Sequence, residues 1–264
     1  VYSDFEGHGL LPHDHPNAAG LIQGLYNLRA PGIRPDVVLM LGLRFGLYTG
    51  LGSDALIPLD AKVIHVDLDG RELGRLRDPA LAIRADSGEM LRSLVEASEG
   101  HAFPDRAAWV RAVRQTTLDR RRKLLEIAHR RKPLHPFRAV AAIVEAAGDR
   151  ADFVADGAES YHWFTEVVPG YRPSCFLTHG YHGSMGSGIG LAMGAQTLNR
   201  DRPVVLVTGD GAFGFSIAEF DTMVRHQLPV VVVILNNRNW GAVRHYQEVF
   251  SGPDRVTGTQ LDNG

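Results

Sequence analysis

The chain has 264 residues, 44% of them hydrophobic and 22% charged, with a formal net charge of −2. That composition is ordinary for a globular protein of one large or two medium domains, and it excludes a polyelectrolyte or a nucleic-acid binder that works by bulk charge. The single cysteine, Cys175, excludes an intrachain disulfide, and no apolar run reaches the ~18–20 residues of a membrane span. The start is charged and carries no secretory signal, so the expectation is a cytoplasmic protein without nucleic-acid or membrane partners.

Residues 1–35 are rich in glycine, histidine and proline, with a helical pattern over 18–28. The apolar run 37–41 stops at Gly42 and predicts a buried strand. A second strand over 62–67 closes on Asp67 and Asp69, a third covers 81–84, and a helix follows over 87–97. Short strands alternating with helices predict a Rossmann-like α/β layer over 1–98. Gly46, Gly50 and Gly52 after the first strand hint at a nucleotide site. No complete Gly-x-Gly-x-x-Gly follows this strand, so ordinary strand-to-helix loops are the better reading. Pro104-Asp105 opens a long charged helix that Pro133 and Pro136 end, and 99–135 reads as a helical linker. Its basic residues are interleaved with Leu118, Leu124, Leu125 and Ile127, the pattern of a solvated helix face.

A second α/β pattern fills 136–264. A helix over 137–147 precedes a strand over 153–155 and the turn Asp156-Gly157-Ala158-Glu159. A strand over 174–178, with Cys175 buried in it, leads into the glycine-rich loop 179–188 and a small-residue helix over 189–198. Then comes the unit on which the reading turns. It is a strand from Val204, the turn Gly209-Asp210-Gly211, a helix within 212–229, a strand from Val230, and Asn236-Asn237. A strand–helix–strand unit makes the strands parallel neighbours, so both polar ends lie at one sheet edge, where open α/β sheets bind ligands. Asp210 and Asn237 both offer oxygen, which suits Mg²⁺, and the backbone carbonyl of Asn239 can complete the protein's share. Gly211 and Ala212 let backbone N–H groups approach a phosphate.

Gly209-Asp210-Gly211 followed by Asn236-Asn237 resembles the thiamine diphosphate motif of the acetolactate synthase and pyruvate decarboxylase superfamily. The resemblance extends over most of the chain. Leu41-Gly-Leu-Arg-Phe-Gly46 looks like the central domain of these enzymes, and His179-Gly-Tyr-His-Gly-Ser-Met-Gly186 like their diphosphate-binding domain. The stretches 215–221, 239–242 and 252–258 are similar to the benzaldehyde lyase branch. The fold so implied is two Rossmann-like parallel-sheet domains, a truncated central domain and a thiamine diphosphate-binding domain, joined by the helical linker.

The resemblance implies cleavage or formation of a C–C bond in 2-hydroxy ketones, with thiamine diphosphate and Mg²⁺ as cofactors. It places Gly157, Ala158, Gly183, Ser184, Met185, Gly209, Asp210, Gly211, Ala212, Asn237, Asn239, Trp240 and Gly241 around the cofactor, with Asp210, Asn237 and Asn239 on the metal. Met185 falls where a bulky apolar residue supports the bent cofactor, and Gly183 where a carbonyl holds the aminopyrimidine amine. Tyr161, His179 and Trp240 match positions that line the substrate pocket, while His162 and His182 stand where the lyase pattern differs. The glutamate that activates the aminopyrimidine in these enzymes comes from another domain, and neither Glu6 nor Glu159 sits in its motif. The expectation is therefore a piece of a longer enzyme that forms a homodimer or homotetramer and acts on an aldehyde, a 2-hydroxy ketone or a 2-oxo acid. The alternatives are an acetolactate synthase-like or other 2-oxo acid enzyme, and a module that binds the cofactor without turnover.

Overall fold

The computed structural model describes residues 1–29, 32–168 and 170–261. The chain end at Asn263-Gly264, where the sequence shows no closing helix, lies outside them. Two compact units share the chain. The first takes 1–4 and 14–120, and the second takes 5–13 and 121–264.

In the first unit, β1 (Tyr2–Ser3) and β2 (Gly20–Leu21) pair in parallel. The main sheet consists of β3 (Val37–Leu41), β4 (Lys62–Asp67) and β5 (Leu81–Arg84), all parallel, in that order. These are the three strands expected from the apolar runs, residue for residue. Met40 and Val63 turn inward onto Ile22, Leu25 and Phe45, so the core forms where the β-branched and aromatic runs meet. The expected helix over 18–28 is instead a tighter 3₁₀ stretch, Ile22–Arg29. Helix α1 (Ser87–Ser98) starts on Asp86, whose carboxylate accepts the N–H groups of Gly88 and Glu89. Helix α2 (Ala107–Arg130) gives its first part, to Arg120, to this unit. There Val113 joins the core, and the Thr117 hydroxyl donates to the Ala19 carbonyl at 2.9 Å.

The second unit contains α3 (Pro136–Ala147), β6 (Asp152–Asp156), α4 (Ala158–Val167), β7 (Phe176–Thr178), α5 (Gly188–Leu198) and β8 (Val204–Gly209). It continues with α6 (Asp210–Gly214), α7 (Glu219–Arg225), β9 (Val231–Leu235) and α8 (Gly241–Ser251). The sheet is fully parallel in the order β7-β6-β8-β9. The central strands β6 and β8 are buried almost throughout, as expected of parallel strands covered on both faces, and β9 at the edge is half open. Cys175 is a buried thiol just before β7.

The fold departs from the sequence expectation in three further places. The single helix expected within 212–229 is broken into α6 and α7, and the break is tied down by the Ser216 hydroxyl, which bonds to the Gly186 carbonyl. Helices α4 and α8 were not expected. Helix α4 is built from Tyr161, His162, Trp163, Phe164 and Thr165, weak helix formers held by burial of Tyr161 and Phe164. The third departure is the segment 5–13, which folds with the second unit although the chain around it belongs to the first. Phe5 is 1% exposed, and its ring centroid lies 5.3 Å from those of Tyr161 and Tyr181. His8 Nε2 donates to the Val168 carbonyl at 2.9 Å. Among the described residues, no helix is long and apolar enough to cross a membrane.

Candidate cofactor site

Strand register decides which side chains share the sheet edge. Thr208 and Gly209 of β8 stand opposite Ile234 and Leu235 of β9, so the strands end level. Asp210 follows one and Asn236-Asn237 the other, which places the acid and the amides on the same carboxyl-end rim. Two successive side-chain turns shape the segment after β9. Asn236 Oδ1 accepts the Arg238 N–H at 3.0 Å, and Asn237 Oδ1 accepts the Asn239 N–H at 2.9 Å.

Asn239 is held by a bridge to Gln260, whose two bonds run from Trp240 N–H to the Thr259 carbonyl and from Leu261 N–H to the Arg238 carbonyl. That bridge leaves the Asn239 carbonyl out. The side-chain Oδ1 of Asn239 is buried without a hydrogen-bond partner, while its Nδ2 donates to the Asn237 carbonyl at 3.0 Å. A buried oxygen with no donor is costly unless a cation or another donor meets it. Oxygen donors of this kind, with one carboxylate and neutral amide or carbonyl groups, fit a hard divalent cation. The described residues contain no cluster of three or more His, Cys, Asp or Glu side chains arranged for a metal, so a softer metal has no ligand set here.

Glu159, which the sequence reading left without a role, joins these parts. It sits in the first turn of α4, and its Oε2 accepts Asn237 Nδ2–H at 2.6 Å. Burial raises its pKa above the usual carboxylate range, and Asp210 pushes the same way, whereas His245 and the Asn237 hydrogen bond oppose the shift. Gly241 permits the contact, since a Cβ there would stand 2.1 Å from Glu159 Oε2.

The glycine-rich loop is anchored from β6. Asp156, 2% exposed, accepts the Gly186 N–H at 3.1 Å with one oxygen and the Gly188 N–H at 2.8 Å with the other. It thereby caps α5 and fixes the Gly183-Ser184-Met185 segment against the sheet. Gly183 takes the left-handed conformation, φ 63°, and Met185 presents 42% of its surface. Asp156 had no assigned role in the sequence reading. An acid closing an apolar run just before a glycine was the only signal, and it does not distinguish a loop anchor from a solvent-facing turn.

The residues expected to line the substrate pocket fall into two groups. Tyr161 is 2% exposed and packs against the His179 ring at 5.5 Å. His179 Nδ1 lies 2.9 Å from the Gly180 carbonyl. A carbonyl only accepts, so Nδ1 carries a proton in this contact. His162, whose ring also packs against Tyr161, has its pKa lowered by burial first and by His179 second. Trp240 lies elsewhere, over Gly211 and 5.8 Å from the Phe215 ring. An open cavity of about 540 Å³ is lined by Asp210, Gly211, Phe215, Asn236, Arg238 and Trp240, among others. Asp210 and Asn236 line it, whereas Asn237 and Asn239 do not.

Comparison with known proteins places this geometry. Residues 156–263 match the model of the thiamine pyrophosphate enzyme C-terminal TPP binding domain, and residues 1–94 match that of the thiamine pyrophosphate enzyme central domain. The chain belongs to the thiamine pyrophosphate enzyme family. It is 32% identical over 246 residues to the acetolactate synthase isozyme 1 large subunit of Escherichia coli, covering 92% of this chain and 42% of that protein. It is 31% identical over 265 residues to a 2-hydroxyacyl-CoA lyase of Oryza sativa, covering 97% and 44%. With 2-hydroxyacyl-CoA lyase 2 of Bos taurus it shares 29% over 248 residues, covering 90% and 37%. The chain thus spans less than half the length of these relatives. Within this family, the TPP-binding match opens on Asp156, the carboxylate that anchors the loop, and includes every oxygen donor of the rim.

Proposed function

We propose that this chain carries the diphosphate end of a thiamine diphosphate- and Mg²⁺-dependent enzyme that breaks or forms a C–C bond next to a carbonyl. The observation that supports it most is the shared rim of Asp210 and the Asn237–Asn239 turn, where the Asn239 carbonyl lies outside the bridge to Gln260 and Asn237 Oδ1, which accepts one N–H, keeps a second lone pair for a cation. Asp210 would supply the carboxylate ligand, Asn237 Oδ1 and the Asn239 carbonyl the neutral ones. Gly209, Gly211, Ala212, Gly157 and Ala158 would bring backbone to the phosphates. Helix α4 contributes the positive end of its dipole behind Gly157.

When bound, thiamine diphosphate supplies a carbon nucleophile and an electron sink at a carbonyl carbon. The chain's own residues do the rest. Gly183, Ser184 and Met185 form the support that Asp156 holds in place, Gly241 and Trp240 close the far side, and His179, whose Nδ1–H is given to the Gly180 carbonyl, has Nε2 as the ring atom that can exchange a proton. On the likeness to benzaldehyde lyase at 215–221, 239–242 and 252–258, the whole enzyme is a lyase or carboligase for 2-hydroxy ketones that works as a homodimer or homotetramer. The similarity to acetolactate synthases supports a second reading, an enzyme acting on 2-oxo acids.

Calorimetry tests the site. Thiamine diphosphate should release heat on binding only with Mg²⁺, and Asp210→Ala should abolish that heat. Equal heat from wild type and Asp210→Ala would sink the metal assignment. A substrate panel on the whole enzyme separates the two activities. Benzoin cleavage without pyruvate turnover supports the lyase, and the reverse outcome supports the 2-oxo acid enzyme.

A further inference from the structure

The Glu159 carboxylate is half-buried where three other parts of the second unit meet. Asn237, after β9, donates to it at 2.6 Å. The Gly241 backbone at the start of α8 covers it so closely that an added Cβ would stand 2.1 Å from Oε2 and 2.7 Å from Asn237 Nδ2. Asp210 and His245 are the charged and titratable groups that act on it. A carboxylate set near Asp210, at a rim read here as a diphosphate site, adds negative charge where negative charge is already dense. Attraction to the ligand therefore does not account for it.

Its hydrogen bond does. A primary amide has two ends of nearly equal size, and a cation can use only the oxygen end. An ionised carboxylate accepts and never donates, so Glu159 tolerates only the NH₂ end of Asn237. From the other side, the Asn239 N–H donates at 2.9 Å and tolerates only the oxygen end. Turning the amide over would set oxygen against oxygen on one side and N–H against NH₂ on the other. The carbonyl oxygen that accepts from Asn239 still has a second lone pair.

We propose that Glu159 is a positioning residue that locks the Asn237 amide with its oxygen towards the divalent cation. This rests on the metal reading of the rim given above. Glu159 does not itself touch the cation, and what matters is that position 159 accepts a hydrogen bond.

Three versions of the chain test it: wild type, Glu159→Gln and Glu159→Leu. Glutamine keeps an acceptor of the same shape, and leucine keeps bulk without one. The first readout needs no ligand. In amide-detected NMR, the Asn237 side-chain NH₂ should be shifted and slow to exchange in wild type and Glu159→Gln, and should move to the position of a solvated amide in Glu159→Leu. The second is the Mg²⁺ affinity in the presence of thiamine diphosphate, by calorimetry. It should fall about tenfold or more in Glu159→Leu, as for other groups that orient a metal ligand, and stay within about threefold of wild type in Glu159→Gln. Unchanged NMR signals and affinity in Glu159→Leu would overturn the positioning role alone. So would a loss in Glu159→Gln as large as in Glu159→Leu, because charge and not hydrogen-bond acceptance would then be the cause. If Glu159→Leu does not fold, the Gln variant decides by itself, since loss of the Asn237 signature there overturns the proposal and retention supports it. A wild-type chain that shows no Mg²⁺-dependent binding would overturn the cofactor reading and this proposal together.

Discussion

At the scale of single residues, the sequence shows chemistry well and orientation poorly. The shared rim of Asp210, Asn237 and Asn239 was legible because parallel neighbouring strands bring both carboxyl ends to one edge. Glu159 and Asp156 were not, because a carboxylate beside a glycine turn looks the same whether it faces solvent or a backbone N–H. His8 shows how much environment adds. Burial lowers its pKa below the ordinary histidine value, and His13 adds to the effect, while the hydrogen bond to the Val168 carbonyl opposes it. The sign follows from linkage. The unfolded chain protonates first as pH falls, so the His8 contribution to stability is complete above the ordinary value of about 6.5 and is lost as pH drops through the lower folded value. The melting temperature of the second unit should therefore decline below about pH 6.5. His8→Gln, which can still donate to Val168 but does not titrate, should flatten that decline. An identical pH profile for the two proteins would show that His8 is not the group responsible.

At the scale of elements, the glycine-rich loop depends on one buried acid. Asp156 satisfies two N–H groups at the mouth of α5. Asp156→Ala leaves both without their partner inside the protein, at a cost on the order of 3 kcal/mol by chemical denaturation. Hydrogen exchange should quicken first in the opening turn of α5. Unchanged exchange there would mean that the loop is held by other contacts. Gly188→Ala attacks the same joint from the other side. Its Cβ would come within 2.5 Å of the Asp156 Cβ and 2.9 Å of Leu206 Cδ1, an overpacking cost of about 1–3 kcal/mol. These joints explain why some elements were readable and others were not. Strand β3 is a continuous apolar run ended by Gly42, and β4 is a mainly apolar run that ends on Asp67, so local pattern and final structure agree there. Helix α4 is a run of aromatic and β-branched residues whose local preference is weak, and tertiary burial decides it. The break between α6 and α7 depends on a bond from Ser216 to a residue of another loop, which no window of sequence contains.

At the scale of the whole molecule, the chain order and the folding units do not coincide. A reading in order assigns residues 1–98 to one domain, yet 5–13 completes the second unit. Sequence could not show this, because the segment has neither strand nor helix periodicity and its value lies in aromatic contacts with residues far along the chain. Phe5 is buried against Tyr161 and Tyr181, and Tyr161 in turn supports the His179 ring. Removing the Phe5 ring should open a cavity beside α4 rather than beside the residues that precede Phe5 in sequence. Phe5→Ala should lower the stability of the second unit by about 3–5 kcal/mol. Amide exchange in Ala158–Val167 should accelerate, while the amides of Val37–Leu41 and Lys62–Asp67 keep their protection. Should the first unit's strands lose protection and α4 keep it, Phe5 would belong energetically to the unit that surrounds it in sequence.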